Sequence, residues 1–253
     1  MGLKKPTIVI FDMDGTAVRH LNPRLLTILE KLDDLGYIIK RFFGWLFMRN
    51  RKGPIIPDND IYFTRKKPRL LVHRAMHKLR RKSVEQIVEP SPGLVELLNF
   101  LKAQNIPLAI ISSGLGKGYG HDILQKFKLD HYFKAAIFRE DMVRSKPDPE
   151  PLFLALRKMG AKLNEQDVVW YIGDRHKDMT AAVEMAKHVP YTVEPIAYGV
   201  NAALALLRYN MAEGRVQMCF IDLLDFITGL FKTKTTEIST ENLGDDNKKS
   251  IAV

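Results

Sequence analysis

Hydrophobic and polar positions along the chain fall into blocks that predict strands and helices in turn. Residues 7–11, 106–111 and 168–172 are apolar runs without polar alternation, and a weaker run covers 135–138. Such runs are typical of strands that are buried on both faces of a parallel sheet. Amphipathic helical patterns lie between or after the runs. The alternation predicts an α/β fold with a Rossmann-like, doubly wound parallel sheet.

One long segment interrupts this alternation and indicates a second domain. Residues 19–92 have helical patterns around a loop rich in Pro, Gly and Asp, which predicts an inserted α-helical cap. The catalytic core is then expected over residues 1–18 and 93–231. From residue 232 to residue 253 the chain is polar and lacks periodicity, so we expect a disordered tail.

The positive charge of the chain is concentrated in the predicted cap. Residues 19–92 hold 17 basic and 7 acidic side chains, an excess equal to the +10 net charge of the whole chain. Two interpretations stay open. The basic residues form an ordinary solvated helical face, or they form an electropositive lid that attracts an anionic substrate and closes over it.

Targeting signals are missing from the sequence, which favours a cytoplasmic location. The N-terminal stretch MGLKKPTIVIFDMDG has acidic residues within its apolar run and no small-residue cleavage site after it. No apolar run reaches the length of a transmembrane helix. The single cysteine, Cys219, excludes an internal disulfide and a cysteine-based metal cage.

Polar clusters follow the predicted strands or lie in the loops beyond them. The clusters are Asp12–Thr16, Ser112–Gly114, Ser145–Pro147 and Gly173–Asp178. In doubly wound sheets ligands bind at the carboxyl ends of the strands, so these clusters should converge there. Converging carboxylates repel one another unless a hard cation lies among them, and oxygen ligands suit Mg²⁺. A cation beside a lysine suits a phosphate dianion, and a neighbouring carboxylate can attack phosphorus.

The order of these clusters resembles that of a known family. DxDGT after a hydrophobic strand, a serine after the second strand, a Lys-Pro pair and a GDxxxD motif resemble the haloacid dehalogenase superfamily. The chain is most similar to the phosphoglycolate-phosphatase-like branch, in which a helical cap lies between the first and second motifs. The resemblance covers residues 7 to about 207.

The resemblance implies a role for each motif residue in catalysis. Asp12 would be the nucleophile, and Asp14 would be the general acid and base. Ser112 would donate a hydrogen bond to a phosphoryl oxygen. Lys146 would neutralise charge on the nucleophile and the phosphate, and its positive charge would help to keep Asp12 ionised.

Binding residues follow from the same resemblance. Mg²⁺ would be held by the backbone carbonyl of Asp14 and by the carboxylates of Asp12 and Asp174, and Asp178 would hold a metal-bound water or orient the site. The residues implied in substrate binding are Thr16, Ser113 and Gly114.

These assignments predict a Mg²⁺-dependent phosphatase that hydrolyses a small phosphomonoester through an aspartyl-phosphate intermediate. A second aspartate at position 14 favours a phosphatase or a phosphomutase, because dehalogenases of the superfamily lack it and its transporting ATPases carry threonine there. The alternatives are a sugar-phosphate mutase, a nucleotide or nucleic-acid-end phosphatase, and a non-enzymatic or membrane-surface protein. The expected partner is a small phosphorylated metabolite rather than nucleic acid or a membrane.

Overall fold

A computed structural model describes residues 3–21, 84 and 88–245, with side chains described up to residue 232. The strands are β1 (Ile8–Asp12), β2 (Val18–His20), β3 (Val88–Pro90), β4 (Leu108–Ile111), β5 (Phe133–Ile137), β6 (Val168–Gly173), β7 (Thr192–Tyr198) and β8 (Val216–Gln217). The helices are α1 (Leu94–Ala103), α2 (Lys117–Lys126), α3 (Glu150–Lys158), α4 (His176–Ala186), α5 (Val200–Arg208) and α6 (Phe220–Asp245), and a 3₁₀ turn covers Asp130–Tyr132.

The centre of the fold is a parallel sheet of six strands in the order β5-β4-β1-β6-β7-β8. Strand β1 lies in the middle and pairs with β4 on one side and with β6 on the other. The strand order reverses at β1, and this reversal creates a crevice at the carboxyl ends of the neighbouring strands. The predicted fold class of the core, a doubly wound α/β sheet, is confirmed.

Helices cover both faces of the sheet, as the uninterrupted apolar strands predict. Val9 and Phe11 of β1 point into a core that includes the buried residues of α1 and Phe220 of α6. Ile8 and Ile10 point the other way, into a core that includes Leu152 of α3 and Ala182 of α4. Because alternate side chains of one strand face two separate cores, every residue of β1 is buried.

Two strands of the six-stranded sheet and one helix were not predicted from the hydrophobic pattern. Strand β7 includes Glu194 and Pro195, which break its apolar run, and β8 is only two residues long. Helix α2 contains two glycines, Gly118 and Gly120. A Cβ atom on Gly120 would lie 2.0 Å from the Phe138 ring, so a close approach to that ring requires glycine there.

The structure describes only the ends of the predicted cap. These ends form an antiparallel ribbon in which β2 pairs with β3, with Val18 opposite Pro90 and His20 opposite Val88. Residues 22–83 and 85–87 lie outside the described residues, so the helical cap and the domain boundaries stay predictions.

The end of the chain differs from the sequence-based expectation in one respect. Helix α6 extends to Asp245, past residue 232, where the sequence predicts a disordered tail to begin. None of the helices in the described part of the chain combines the length and apolar character that a bilayer crossing demands.

Candidate active site

Three neighbouring strands bring the predicted site residues to one edge of the sheet. Asp12 is the last residue of β1, Ser112 follows β4 directly, and Asp174 follows β6 directly. A sharp turn after β1 lets these loops approach one another, since Gly15 has a φ of 85°. A Cβ atom on Gly15 would lie 2.4 Å from Asp174 Oδ2, so the close contact of the two loops requires glycine.

Lys146 is buried between two carboxylates. Its Nζ contacts Asp12 Oδ1 and lies 2.6 Å from Asp178 Oδ1. The Tyr171 hydroxyl donates to the same Asp178 oxygen at 2.9 Å, and the backbone N–H of Arg175 donates to the other at 3.0 Å. Burial by itself would lower the pKa of Lys146, but the negative charges of Asp12 and Asp178 raise that pKa well above its ordinary value.

Burial and repulsion between neighbouring carboxylates raise the pKa of two aspartates of the site. Burial raises the pKa of Asp12 well above its ordinary value, and although Lys146 opposes this rise, repulsion from Asp178 and Asp174 adds to it. Burial, together with repulsion from Asp178, also raises the pKa of Asp174 to about 6. The opposing effect of Lys146 has the predicted direction, but burial outweighs it.

Asp14 lies in a different environment, because hydrogen-bond donors face both of its oxygens. Ser112 Oγ donates to Asp14 Oδ2 at 2.5 Å, and His20 Nε2 lies 3.4 Å from Asp14 Oδ1. Burial would raise the pKa of Asp14, but the hydrogen bonds and charge from His20 and the hydrogen bond from Ser112 lower it. A Cβ atom on Gly114 would lie 3.5 Å from Asp14 Oδ2, so this glycine borders the same carboxylate.

The two remaining predicted binding residues are placed differently. Thr16 is fully buried, and its Oγ1 lies 3.4 Å from Asp12 Oδ2 and 3.5 Å from Asp174 Oδ1. This hydroxyl therefore links two carboxylates of the site. Ser113 Oγ lies 3.8 Å from Met142 Sδ, whereas the neighbouring Ser112 hydroxyl contacts Asp14.

A divalent cation fits three of the acidic residues. Asp12, Asp174 and Asp178 each offer one carboxylate oxygen, and these oxygens all lie within 4.8 Å of one another. Hard cations prefer such carboxylate sets, and a cation would relieve the repulsion that raises the pKa of Asp12 and Asp174. The Asp14 carboxylate is not part of this set, and a contribution of its backbone carbonyl stays a prediction.

Sequence reasoning missed two residues of the site. His20 was assigned to the predicted cap, and Tyr171 lies inside an apolar run that predicts only a core strand. Alternation along β2 carries the signal for His20, because Val18 is buried and Arg19 is exposed. No motif in the sequence identifies the Tyr171 hydroxyl as a partner of Asp178.

The sequence also matches a known protein family. The sequence model of the family described as haloacid dehalogenase-like hydrolase matches residues 9–189. This match spans most of the chain, including all four motifs. The chain therefore belongs to the haloacid dehalogenase-like hydrolase family. The predicted family and the general enzyme class, a hydrolase, are confirmed.

Two individual relatives are each less than 30% identical to this chain. A phosphoglycolate phosphatase from Rhodospirillum rubrum is 29% identical over 216 residues, which cover 79% of this chain and 84% of that protein. The pyrophosphatase PpaX from Halalkalibacterium halodurans is 28% identical over 173 residues, which cover 68% of this chain and 76% of that protein. A haloacid dehalogenase-superfamily hydrolase from Ehrlichia chaffeensis has a crystal structure with a TM-score of 0.55 and 24% identity, covering 91% of this chain and 100% of that one. At this identity the likeness shows a shared fold.

Proposed function

We propose that the chain is a Mg²⁺-dependent phosphatase that hydrolyses a small phosphomonoester through a phosphorylated Asp12. The observation that carries the proposal is the pairing of two aspartates in contrasting surroundings. Asp12 is buried against Lys146 and belongs to the candidate metal-binding set, whereas Asp14 contacts Ser112 and His20. One carboxylate is thus placed to bond to phosphorus and the other to move protons.

In the first step an oxygen of Asp12 attacks the phosphorus atom. The bond from phosphorus to the leaving-group oxygen breaks, and Asp14, which would take up a proton when the anionic substrate binds beside it, gives that proton to the oxygen. Lys146 stabilises the charge around Asp12 and the phosphoryl group, because its ammonium is already in contact with Asp12. The products of this step are a free alcohol and the aspartyl phosphate.

In the second step water attacks the phosphorus atom of the aspartyl phosphate. Asp14 now accepts a proton from the water, and the bond between phosphorus and the Asp12 oxygen breaks. Inorganic phosphate leaves, and both aspartates return to their starting states. Ser112 and the backbone around Gly114 border Asp14 and would donate hydrogen bonds to phosphoryl oxygens.

The carboxylates of Asp12, Asp174 and Asp178 and the backbone carbonyl of Asp14 would hold the cation. Mg²⁺ is the favoured ion, since it binds through few carboxylates together with substrate phosphate oxygens. When bound, it offsets the carboxylate charge and polarises the phosphoryl group. Thr16 would keep Asp12 and Asp174 in place for this ion, since it lies within 3.5 Å of both carboxylates.

The proposed substrate is a small phosphorylated metabolite. Phosphoglycolate is the first to test, because relatives along most of the chain are phosphoglycolate phosphatases. Inorganic diphosphate is the second, since another relative is a pyrophosphatase. A cytoplasmic location and a substrate-selecting role of the predicted cap belong to the same proposal.

The decisive experiment compares two Asp→Asn variants with Mg²⁺ and an aryl phosphate. Asp12→Asn should lower kcat by about a thousandfold or more, because an amide cannot form the phosphoenzyme. Asp167→Asn is the matched control, since Asp167 lies just before β6, at the opposite end of that strand from Asp174. Both variants should keep a cooperative thermal transition. Substantial turnover by Asp12→Asn would contradict the proposed nucleophile.

A further inference from the structure

His20 reaches the site from the ribbon that leads into residues 22–83. Along β2 the side chains alternate, so that Arg19 faces solvent with 56% of its side chain exposed while His20 faces inward with 8% exposed. The inward direction brings His20 Nε2 to 3.4 Å from Asp14 Oδ1. No motif of the sequence and no step described above uses this imidazole.

The two carboxylate oxygens of Asp14 contact residues from different parts of the fold. Oδ2 accepts a hydrogen bond from Ser112, which follows the central strand β4. Oδ1 faces His20, which belongs to the ribbon. If the imidazole were removed, Oδ1 would lose its contact with His20, and the carboxylate plane could rotate about the oxygen that Ser112 holds. The direction of the proton-carrying oxygen therefore depends on His20.

Backbone hydrogen bonds define where His20 lies relative to Asp14. Gly15 donates to the carbonyl of Val18 at 2.8 Å, and Val18 donates to the carbonyl of Met13 at 2.9 Å. From the other side of the ribbon, Ser91 Oγ donates to the carbonyl of Thr16 at 2.5 Å. These bonds connect the ribbon to the loop that carries Asp14, so the approach of the imidazole is built into the local fold.

We propose that His20 is a positioning residue that orients Asp14 for the attack of water on the aspartyl phosphate. The inference rests on the proposed function, because it assigns Asp14 the role of base in the second step. An aryl leaving group departs with little help from an acid, so with an aryl phosphate the first step tolerates a misplaced Asp14. Water attack does not, since it needs a base aligned with the nucleophile.

The test measures p-nitrophenyl phosphate hydrolysis by His20→Ala, His20→Gln and the matched control Arg19→Ala at saturating Mg²⁺. In His20→Ala, kcat should fall about tenfold to a hundredfold, because slight misplacement of a catalytic group has effects of this size. KM should fall with it, so that kcat/KM, which reports the first step, changes little. Rapid mixing should show a burst of p-nitrophenolate before the slower steady state.

The other two variants separate positioning from ribbon structure. Gln can place an amide N–H near the former position of Nε2, so His20→Gln should recover part of the lost kcat. Arg19→Ala removes the exposed ion pair in which Arg19 Nε lies 2.5 Å from Glu89 Oε1. Because the Arg19 side chain faces solvent and not Asp14, the kcat of this variant should stay at the wild-type value. If His20→Ala does not fold, as judged by its thermal transition, the folded His20→Gln variant still gives the comparison with Arg19→Ala.

Each outcome decides for or against the inference. Equal losses in kcat and kcat/KM, or equal effects of the His20 and Arg19 variants, would overturn the positioning role. Wild-type kcat in His20→Ala and His20→Gln would overturn it as well. A wild-type protein that does not hydrolyse any aryl or alkyl phosphate with Mg²⁺ would instead reject the proposed function, and the inference with it.

Discussion

Two groups of charged side chains in this protein each contain a close ion pair but differ in their balance of charge. On the edge of the sheet, Arg215 Nε lies 2.7 Å from Glu194 Oε2, and one cation meets one carboxylate. At the centre, Lys146 lies between Asp12 and Asp178, and Asp14 and Asp174 are close by. The half-exposed guanidinium of Arg175 lies 3.9 Å from Asp174 Oδ2.

This difference separates a structural pair from a binding site. A buried charge is tolerated when a partner of opposite charge neutralises it. Glu194 and Arg215 satisfy this condition between themselves, so their pair can serve the fold alone. Among the described residues, the central group has more carboxylates than cations, and burial together with repulsion between the carboxylates raises the pKa of Asp12 and Asp174. A cation bound among these carboxylates would balance their charge.

The largest expected effect concerns the cation itself. Treatment with a chelator should lower turnover of an aryl phosphate by about a thousandfold, as loss of a main electrostatic contribution does. Mg²⁺ at a hundredfold excess over its dissociation constant should stabilise the wild-type fold by about 2.7 kcal/mol. Asp174→Asn should lose most of this stabilisation, whereas Glu194→Gln should keep it. Full activity in chelator would show that the central carboxylates, like the Glu194–Arg215 pair, need no added cation.

Breaking the Glu194–Arg215 pair should lower the stability of the fold and leave activity unchanged. Glu194→Gln leaves Arg215 without its charged partner and should lower the free energy of unfolding by about 3 kcal/mol, as for other buried pairs. Its kcat for the folded protein should equal the wild-type value. Urea denaturation and steady-state kinetics at low temperature measure the two quantities. A loss of kcat without a loss of stability would show that the edge pair serves the site.

A smaller effect is expected when a glycine is substituted at the contact between two loops of the site. The comparison is a glycine in an ordinary turn. Gly15 and Gly160 both have positive φ, at 85° and 66°, but only Gly15 faces a close neighbour. Gly160→Ala should lower stability by about 1 kcal/mol and leave activity unchanged. Gly15→Ala pushes on Asp174 and should also reduce kcat by about tenfold or more. Unchanged kcat in Gly15→Ala would mean that the loops can separate without harm.

The smallest effect is expected from an ion pair that is open to solvent. Burial would raise the pKa of Asp141, but hydrogen bonds from Lys117 and from the backbone N–H of Phe138 lower it below the ordinary value of 3.8. The carboxylate therefore contributes stability that is complete above pH 3.8 and is lost as the pH falls through its lower folded pKa. Asp141→Asn should make acid unfolding less steep below that pH. An unchanged acid transition would show that the pair contributes nothing measurable.

Hydrophobic pattern predicted part of the sheet and failed for an identifiable reason. Strands β1, β4 and β6 are uninterrupted apolar runs, so their burial on both faces can be predicted from composition alone. Strand β7 carries Glu194, which the pattern counts as a surface residue. That carboxylate is buried because Arg215 neutralises it, and no local pattern contains this long-range contact.

The candidate site could likewise be predicted from the sequence only in part. Motif order predicted that Asp12, Asp14, Lys146 and Asp174 belong together, because parallel strands end at one edge of a sheet. The same order did not reveal that Ser112 contacts Asp14 or that Tyr171 contacts Asp178. Those contacts depend on side-chain direction at the ends of different strands.

The sequence by itself determined which chemical groups this protein has and, through strand periodicity, which end of the sheet they occupy. Only the tertiary structure decided how those groups are paired. It placed Lys146 against Asp12 although 134 residues separate them, and it turned His20 toward Asp14. Periodicity is a local property of a chain, whereas an ion pair depends on the distance between atoms that only the packed fold brings together.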